Sequence, residues 1–282
     1  MIAKEFNITI HNTNFYGQYF QPKTIKAVVV LVHGMGEHSK RYEKFVIPYF
    51  NKNSIAVLTF DQFGHGLTEG KRGHNPNFEA VLDSVQEMLK KAKNVFGNKP
   101  TFIYGHSMGG NVVINYALRR ENNLTGVIAT SPFLKLAFEP PSWKLKIAKI
   151  LLKIAPSLTM GNELDIAAIS RNKNEVEAYK KDSLVHDKVS PNYSIVFIES
   201  GKWAIENANQ LNTPMLLMHG TGDRLTSYKG SEEFAKNAGN KVDLRLFEGG
   251  YHELHNDIIK NEVLEQMMVW INKQITIIKP KD

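Results

Sequence analysis

Residues 101–111 read Thr101-Phe102-Ile103-Tyr104-Gly105-His106-Ser107-Met108-Gly109-Gly110-Asn111. A short apolar strand leads into Gly-x-Ser-x-Gly, and Asn111 to Leu118 continues with helical periodicity. In a chain with 20 Gly the pentapeptide arises by chance roughly 7% of the time, so its letters alone decide little. The setting decides more. A serine held on a sharp turn between strand and helix leaves no space for side chains two positions to either side, and glycine stands at both places. The same turn sets Ser107 at a helix N-terminus, where unpaired N–H groups and the positive end of the dipole can hold a developing oxyanion. The plainer reading is a glycine-rich turn with a bystander serine.

Working outward, apolar runs of strand length recur at Ala27 to Val32, Ile55 to Phe60, Gly126 to Ala129, Met215 to Met218 and Val242 to Phe247. Continuous runs of this kind suit strands buried on both faces. Phe6 to Ile10 and Phe15 to Phe20 look like an antiparallel opening pair. Helical periodicity marks Arg41 to Phe50, Phe78 to Val95, Tyr228 to Lys236 and Ile258 to Asn272. Strand alternating with helix predicts an α/β fold, a mostly parallel central sheet covered on both faces. From 133 to 191 the alternation stops and only helical and loop patterns remain. A mainly helical cap inserted in a core of residues 1–132 and 192–282 is the expectation. A second independent domain is the alternative, although about 60 residues is small for a separate core.

A serine nucleophile needs a base, and the base needs an orienting carboxylate. Asp223 follows the strand Met215 to Met218, and His252 follows Val242 to Phe247. Both therefore fall at the carboxyl ends of strands, in the order serine, acid, histidine. His255 is the rival base. A metal pair of His252 and His255 is disfavoured, because no His-Glu-x-x-His and no third ligand at helical spacing accompany it. After Val32 comes His33-Gly34-Met35-Gly36-Glu37, a loop able to aim a backbone N–H at the oxyanion while the residue after the nucleophile supplies the other. The expected donors are Met35 and Met108. His33 and His106 read as structural. Glu37 and Arg41, four apart, read first as a solvated ion pair and second as contacts to a polar head group.

His33-Gly34-Met35-Gly36-Glu37-His38-Ser39-Lys40-Arg41-Tyr42, Gly64-His65-Gly66, Glu69-Gly70, Gly105 to Gly110, Ser131-Pro132 and Tyr251-His252-Glu253-Leu254-His255 together resemble the monoacylglycerol lipase and lysophospholipase family of the α/β-hydrolase superfamily. Similarity runs through residues 26–132 and 192–275. In the insertion it is confined to Arg171, Tyr179, Asp182 and Leu184-Val185-His186, and Leu67-Thr68 departs from the family pattern. The resemblance implies an α/β-hydrolase fold, a cap over an acyl tunnel and hydrolysis of a glycerol ester or related small ester. Contact of Glu37, Arg41 and His255 with the substrate is a further expectation. Lysophospholipase or short-chain and aryl esterase activity are the alternatives, and a non-catalytic ligand-binding protein is the remote one.

The cap has one readable feature. Trp143, Ile147, Ile150, Leu151 and Ile154 fall on one helical face, and Lys146, Lys149 and Lys153 on another. The helix either covers the acyl pocket as a lid or lies on an anionic membrane surface. The formal charge of +7 comes from 35 Lys and Arg scattered among 28 acids, without the patterning of a nucleic-acid binder. Zero Cys excludes disulfides and thiol chemistry. Met1 to Ile10 does not read as a secretion signal, and no apolar stretch approaches the roughly 18 residues of a spanning helix. The expectation is a cytoplasmic enzyme acting on an ester or lipid, needing no cofactor or metal and no nucleic acid, with membrane contact confined to the surface of the cap.

Overall fold

A computed structural model describes residues 3–278. Strands β1 (Ala3–Ile10) and β2 (Thr13–Phe20) form an antiparallel hairpin. Its turn sets His11 and Asn12 at φ 47° and 58°, the left-handed pair that matches the twist of a two-residue hairpin. Then follow β3 (Ala27–Val32), α1 (Val46–Lys52), β4 (Ile55–Phe60), α2 (Phe78–Phe96), β5 (Thr101–His106), α3 (Met108–Arg119) and β6 (Gly126–Thr130). Next come α4 (Ser142–Ile154), the short strand β7 (Met160–Gly161), α5 (Lys173–Lys181), the short strand β8 (Lys188–Val189) and α6 (Pro191–Glu206). The chain closes with β9 (Met215–Gly220), α7 (Tyr228–Ala238), β10 (Val242–Phe247) and α8 (Lys260–Ile278).

Eight strands make one sheet in the order β1-β2-β4-β3-β5-β6-β9-β10. β2 pairs antiparallel with β4, and every pairing from β4 to β10 is parallel. β3 shows why its run is apolar throughout. Val28, Val30 and Val32 enter the core beneath α2, α3, α6 and α7, while Ala27, Val29 and Leu31 enter the core beneath α1 and α8. Burying each valine or leucine contributes about 1.5–3 kcal/mol.

Three features differ from the sequence expectation. The helix expected over Arg41 to Phe50 is split into a 3-10 turn at Ser39–Glu43 and α1. Pro48 is the reason: it lacks an N–H and fits only the first turn of a helix, which fixes α1 to begin at Val46. β10 is an edge strand with Leu246 38% exposed, not a strand buried on both faces. The stretch from 133 to 191 adds no strand to the large sheet, but β7 and β8 pair with each other.

Candidate active site

β5 runs straight into α3, and the one residue between them is Ser107, at φ 54° and ψ −115°. An L-residue in the left-handed region is strained and persists only where its surroundings fix it. Here Ser107 N donates to Thr130 O at 3.0 Å, and Ser107 O accepts from Asn111 N and Phe133 N. Both flanking glycines are obligatory. A Cβ on Gly105 would meet Gly109 O at 2.1 Å, and one on Gly109 would meet Val32 O at 2.1 Å.

His252 lies in the loop after β10, and its Nδ1 stands 2.7 Å from Asp223 Oδ2 in the loop after β9. Asp223 Oδ1 accepts from the backbone N–H groups of Leu225 (2.8 Å) and Thr226 (3.0 Å). Burial alone would raise the Asp223 pKa, but the charge on His252 and hydrogen bonds from His219 and His252 hold it well below the carboxylate range. Burial would lower His252, yet the neighbouring Asp223 carboxylate carries it above the usual imidazole value. Ser131, itself at φ 43°, donates through Oγ to His252 O at 2.7 Å and so fixes the backbone of the imidazole loop.

Ser107 and His252 line one cleft, together with Gly34, Met35, Glu37, His106, Glu253 and, from beyond β6, Leu164, Ile169 and Tyr179. Met35 therefore lies on the cleft wall, and Met108 is buried as the first residue of α3. His33 ties the Gly34 loop down. Its Nδ1 donates to Gly34 O at 2.7 Å and its Nε2 accepts from Gln62 N at 2.9 Å. His106 is buried against Thr130 Oγ1, its pKa lowered by burial and by the neighbouring His255 and His252.

Glu37 and Arg41 form the ion pair that the spacing suggests, at 2.7 Å, but it is buried and not solvated. The reason is a third member absent from the local pattern. Arg41 also grips Glu253 through Nη1 at 2.6 Å and Nη2 at 2.8 Å, and Tyr179 covers the guanidinium at 4.6 Å. Burial would raise Glu253, but Arg41 brings it down to about 2. Glu37 Oε1 accepts from Gly34 N at 2.6 Å and from the Tyr42 hydroxyl at 2.8 Å, so the cluster reaches the Gly34 loop itself. Of the three residues expected to touch substrate, only Glu37 lines the cleft. Arg41 and His255 stand behind the wall. His255 is fully buried, stacks on Tyr42 at 4.8 Å between ring centroids and has no hydrogen-bond partner among the described residues. Burial pushes its pKa down to about 4.

Sequence reasoning missed His219, Thr226, Ser131 and Glu253. All contact Asp223, the His252 loop or Arg41, and all sit at the sheet's carboxyl edge, which is the one signal that could have found them. Among the described residues no group of three or more His, Asp or Glu is placed to hold a metal ion.

Fold and site together define an α/β hydrolase. A family model described as serine aminopeptidase, S33, matches residues 23–259. Rat (Rattus norvegicus) monoglyceride lipase is 30% identical over 278 residues, covering 95% of this chain and 91% of that protein. An uncharacterized abhydrolase domain-containing protein of Dictyostelium discoideum is 38% identical over 88% of this chain, which spans only 26% of that protein's length. The crystal structure of Paleococcus ferrophilus monoacylglycerol lipase superposes with a TM-score of 0.85 at 33% identity, covering 92% of this chain and 99% of that one. The chain belongs to the monoacylglycerol lipase family and is a carboxylic-ester hydrolase.

Proposed function

We propose that this hydrolase cleaves monoacylglycerols through Ser107, His252 and Asp223, with residues 133–191 acting as a cap over the acyl site. The observation that carries the reading is the convergence in one cleft of a serine on a strained turn and an imidazole held by a buried carboxylate. Ser107 Oγ attacks the ester carbonyl while His252 takes its proton, and Asp223 stabilises the imidazolium without accepting that proton. The backbone N–H groups of Met35 and Met108 receive the oxyanion. Collapse of the tetrahedral intermediate breaks the acyl–oxygen bond, and His252 returns its proton to the departing glycerol. Water repeats the cycle on the acyl-enzyme, releasing the fatty acid and restoring Ser107.

Supporting the substrate class, the cap contributes apolar groups, Leu164 and Ile169, to the lining of the cleft, and the core contributes polar ones, Glu37 and Glu253. An acyl chain belongs against the first and a hydroxylated head group against the second. Direct contact with the head group falls to Glu37, with Arg41 and His255 acting through it. The two carboxylates are already paired with Arg41, which argues against their holding the amine of a peptide substrate. A short-acyl ester is the second reading, favoured by an enclosed space beside Ser107 of only about 30 Å³.

The cap is also proposed to rest on anionic membrane surfaces through α4. No helix among the described residues is long and apolar enough to cross a membrane. The helix, however, turns Trp143 (59% exposed), Ile147, Ile150 and Ile154 (73%) to solvent. That differs from an apolar face turned onto the acyl site. α4 packs on α6, and its half-buried residues are Leu145, Ala148, Leu151 and Leu152, which leaves the Trp143 stripe outward.

Ser107→Ala tests the nucleophile. Turnover of a nitrophenyl ester should fall by about 10⁶ with the fold intact, and a fluorophosphonate should label Ser107 in the parent protein. Label on another residue would overturn the assignment. For the base, His252→Ala should cost nearly as much, whereas His255→Ala should spare the chemical step.

A further inference from the structure

We infer that His219 and Ser231 are positioning residues that hold the Asp223 carboxylate in its working orientation, extending the serine, histidine and acid array by a second buried imidazole. His219 is the next-to-last residue of β9, and its side chain is wholly buried. Its Nε2 lies 3.2 Å from Asp223 Oδ2 and 3.2 Å from Thr226 O. A carboxylate and a carbonyl only accept, so Nε2 must carry a proton and donate it. Nδ1 meets the Ser231 hydroxyl of α7 at 2.7 Å, which fixes the plane of the ring. Neither ring nitrogen reaches the cleft, and His219 has no part in the steps above.

The geometry gives this imidazole a definite task. Asp223 Oδ2 faces His252 Nδ1 at 2.7 Å, Thr226 Oγ1 at 2.9 Å and His219 Nε2 at 3.2 Å, while Oδ1 is taken by two backbone N–H groups. An oxygen with two lone pairs is directed toward His252 only if its other lone pair is occupied elsewhere, and the His219 N–H occupies it, since the single Thr226 hydroxyl proton is divided between Oδ2 and Ser131 O at 3.1 Å. Donation from His219 also draws charge from Oδ2. Without it Oδ2 would pull harder on the His252 Nδ1 proton and make imidazolium easier to form. The titratable and charged groups around the His252 ring are Asp223, Glu253, Glu37, His106 and His255. Of these, only Asp223 is hydrogen-bonded to His219.

The inference rests on Asp223 being the acid of the proposed array, so Asp223→Asn is measured first. An Asp223→Asn protein as active as the parent would end that reading whatever His219 does. With the acid established, His219→Leu, His219→Gln and Ser231→Ala are compared per active site, counted by fluorophosphonate titration so that loss of folded protein does not enter. In His219→Leu, kcat on a soluble nitrophenyl ester should fall about tenfold with KM within about twofold. The acid limb of kcat should move to higher pH, and the downfield proton resonance of His252 Nδ1–H should shift. His219→Gln, whose amide N–H can still donate to Oδ2, should recover most of the rate and return the limb. Ser231→Ala should move the limb the same way by less. A per-site rate, acid limb and proton resonance in His219→Leu that superimpose on the parent would overturn the inference. So would a His219→Gln protein no faster than His219→Leu. Should His219→Leu fail to fold, an unmoved acid limb in Ser231→Ala would overturn it equally.

Discussion

Glu37 divides its carboxylate between two tasks, one oxygen accepting from Gly34 N and the Tyr42 hydroxyl, the other from Arg41. Arg41 in turn grips Glu253, so a single guanidinium ties the oxyanion loop to the residue beside His252. Removing it would leave two buried carboxylates without a counter-charge. Arg41→Ala should therefore cost about 3–5 kcal/mol in chemical denaturation, well beyond a surface pair. A loss below about 1 kcal/mol, the range of an exposed pair, would show that the cluster is hydrated in solution. The pH dependence follows from His252, whose pKa is raised above 6.5. The proposed base works neutral, so kcat/KM should rise with pH through an apparent pKa above 6.5 and vanish below it. An acid limb centred below that value would contradict the Asp223 influence. Sequence could show Glu37 and Arg41 as neighbours on a turn, since four residues is a local spacing. It could not show Glu253 as their partner, because that contact spans 212 positions and exists only once the sheet has formed.

At the scale of elements, the strand runs were legible because a parallel sheet covered on both faces demands apolar residues at every position. α6 was not. Ile195-Val196-Phe197-Ile198 has strand composition, and no residue from Pro191 to Ile198 is exposed; the polar positions Glu199, Lys202 and Glu206 come only in the second half of the helix, too late to reveal its period at the start. α4 was legible as an amphipathic helix, but its orientation depends on α6 and was not. This matters for a test of membrane contact. Lys149 lies 3.4 Å from Glu199 of α6 and helps dock the helix, so it is left unchanged. Lys146→Glu with Lys153→Glu reverses two charges beside the Trp143 stripe. Affinity for anionic vesicles should drop at least about tenfold, each lysine near such a surface contributing on the order of 1 kcal/mol. Turnover of a soluble short-chain ester should be unchanged. Equal vesicle affinity in parent and variant would leave the stripe without a membrane role.

Across the whole molecule, the proposed cap is held unevenly. From Ile169 to Ser190 it is fastened to the sheet side by Arg171 to Asp257 (2.9 Å), Lys44 to Glu175, His38 to Asp182 (2.9 Å), Glu253 N to Ile169 O (2.7 Å) and His186 N to Gly36 O (2.9 Å). Between 138 and 163, among the described residues, it is tied by the packing of α4 on α6, the exposed Lys149–Glu199 pair and, at its far end, the two-residue β7–β8 pairing with Asn162 N donating to Asp187 O at 2.7 Å. Exposed pairs contribute little. The enclosed space beside Ser107 is only about 30 Å³, and a long chain needs room that the weakly held half can yield by swinging from α6. Amides of α4 should then exchange with deuterium faster than those of α5, since local opening follows the density of buried contacts. Trapping Ser107 with a phosphonate bearing a long alkyl chain should change protection in α4, while a methyl or ethyl phosphonate should leave it as it was. The response should stop before α5, because the seam there does not depend on the acyl site. Identical exchange in α4 with both phosphonates, accompanied by full turnover of long-chain monoacylglycerols, would show instead that the chain runs along a path already open and that the cap does not move.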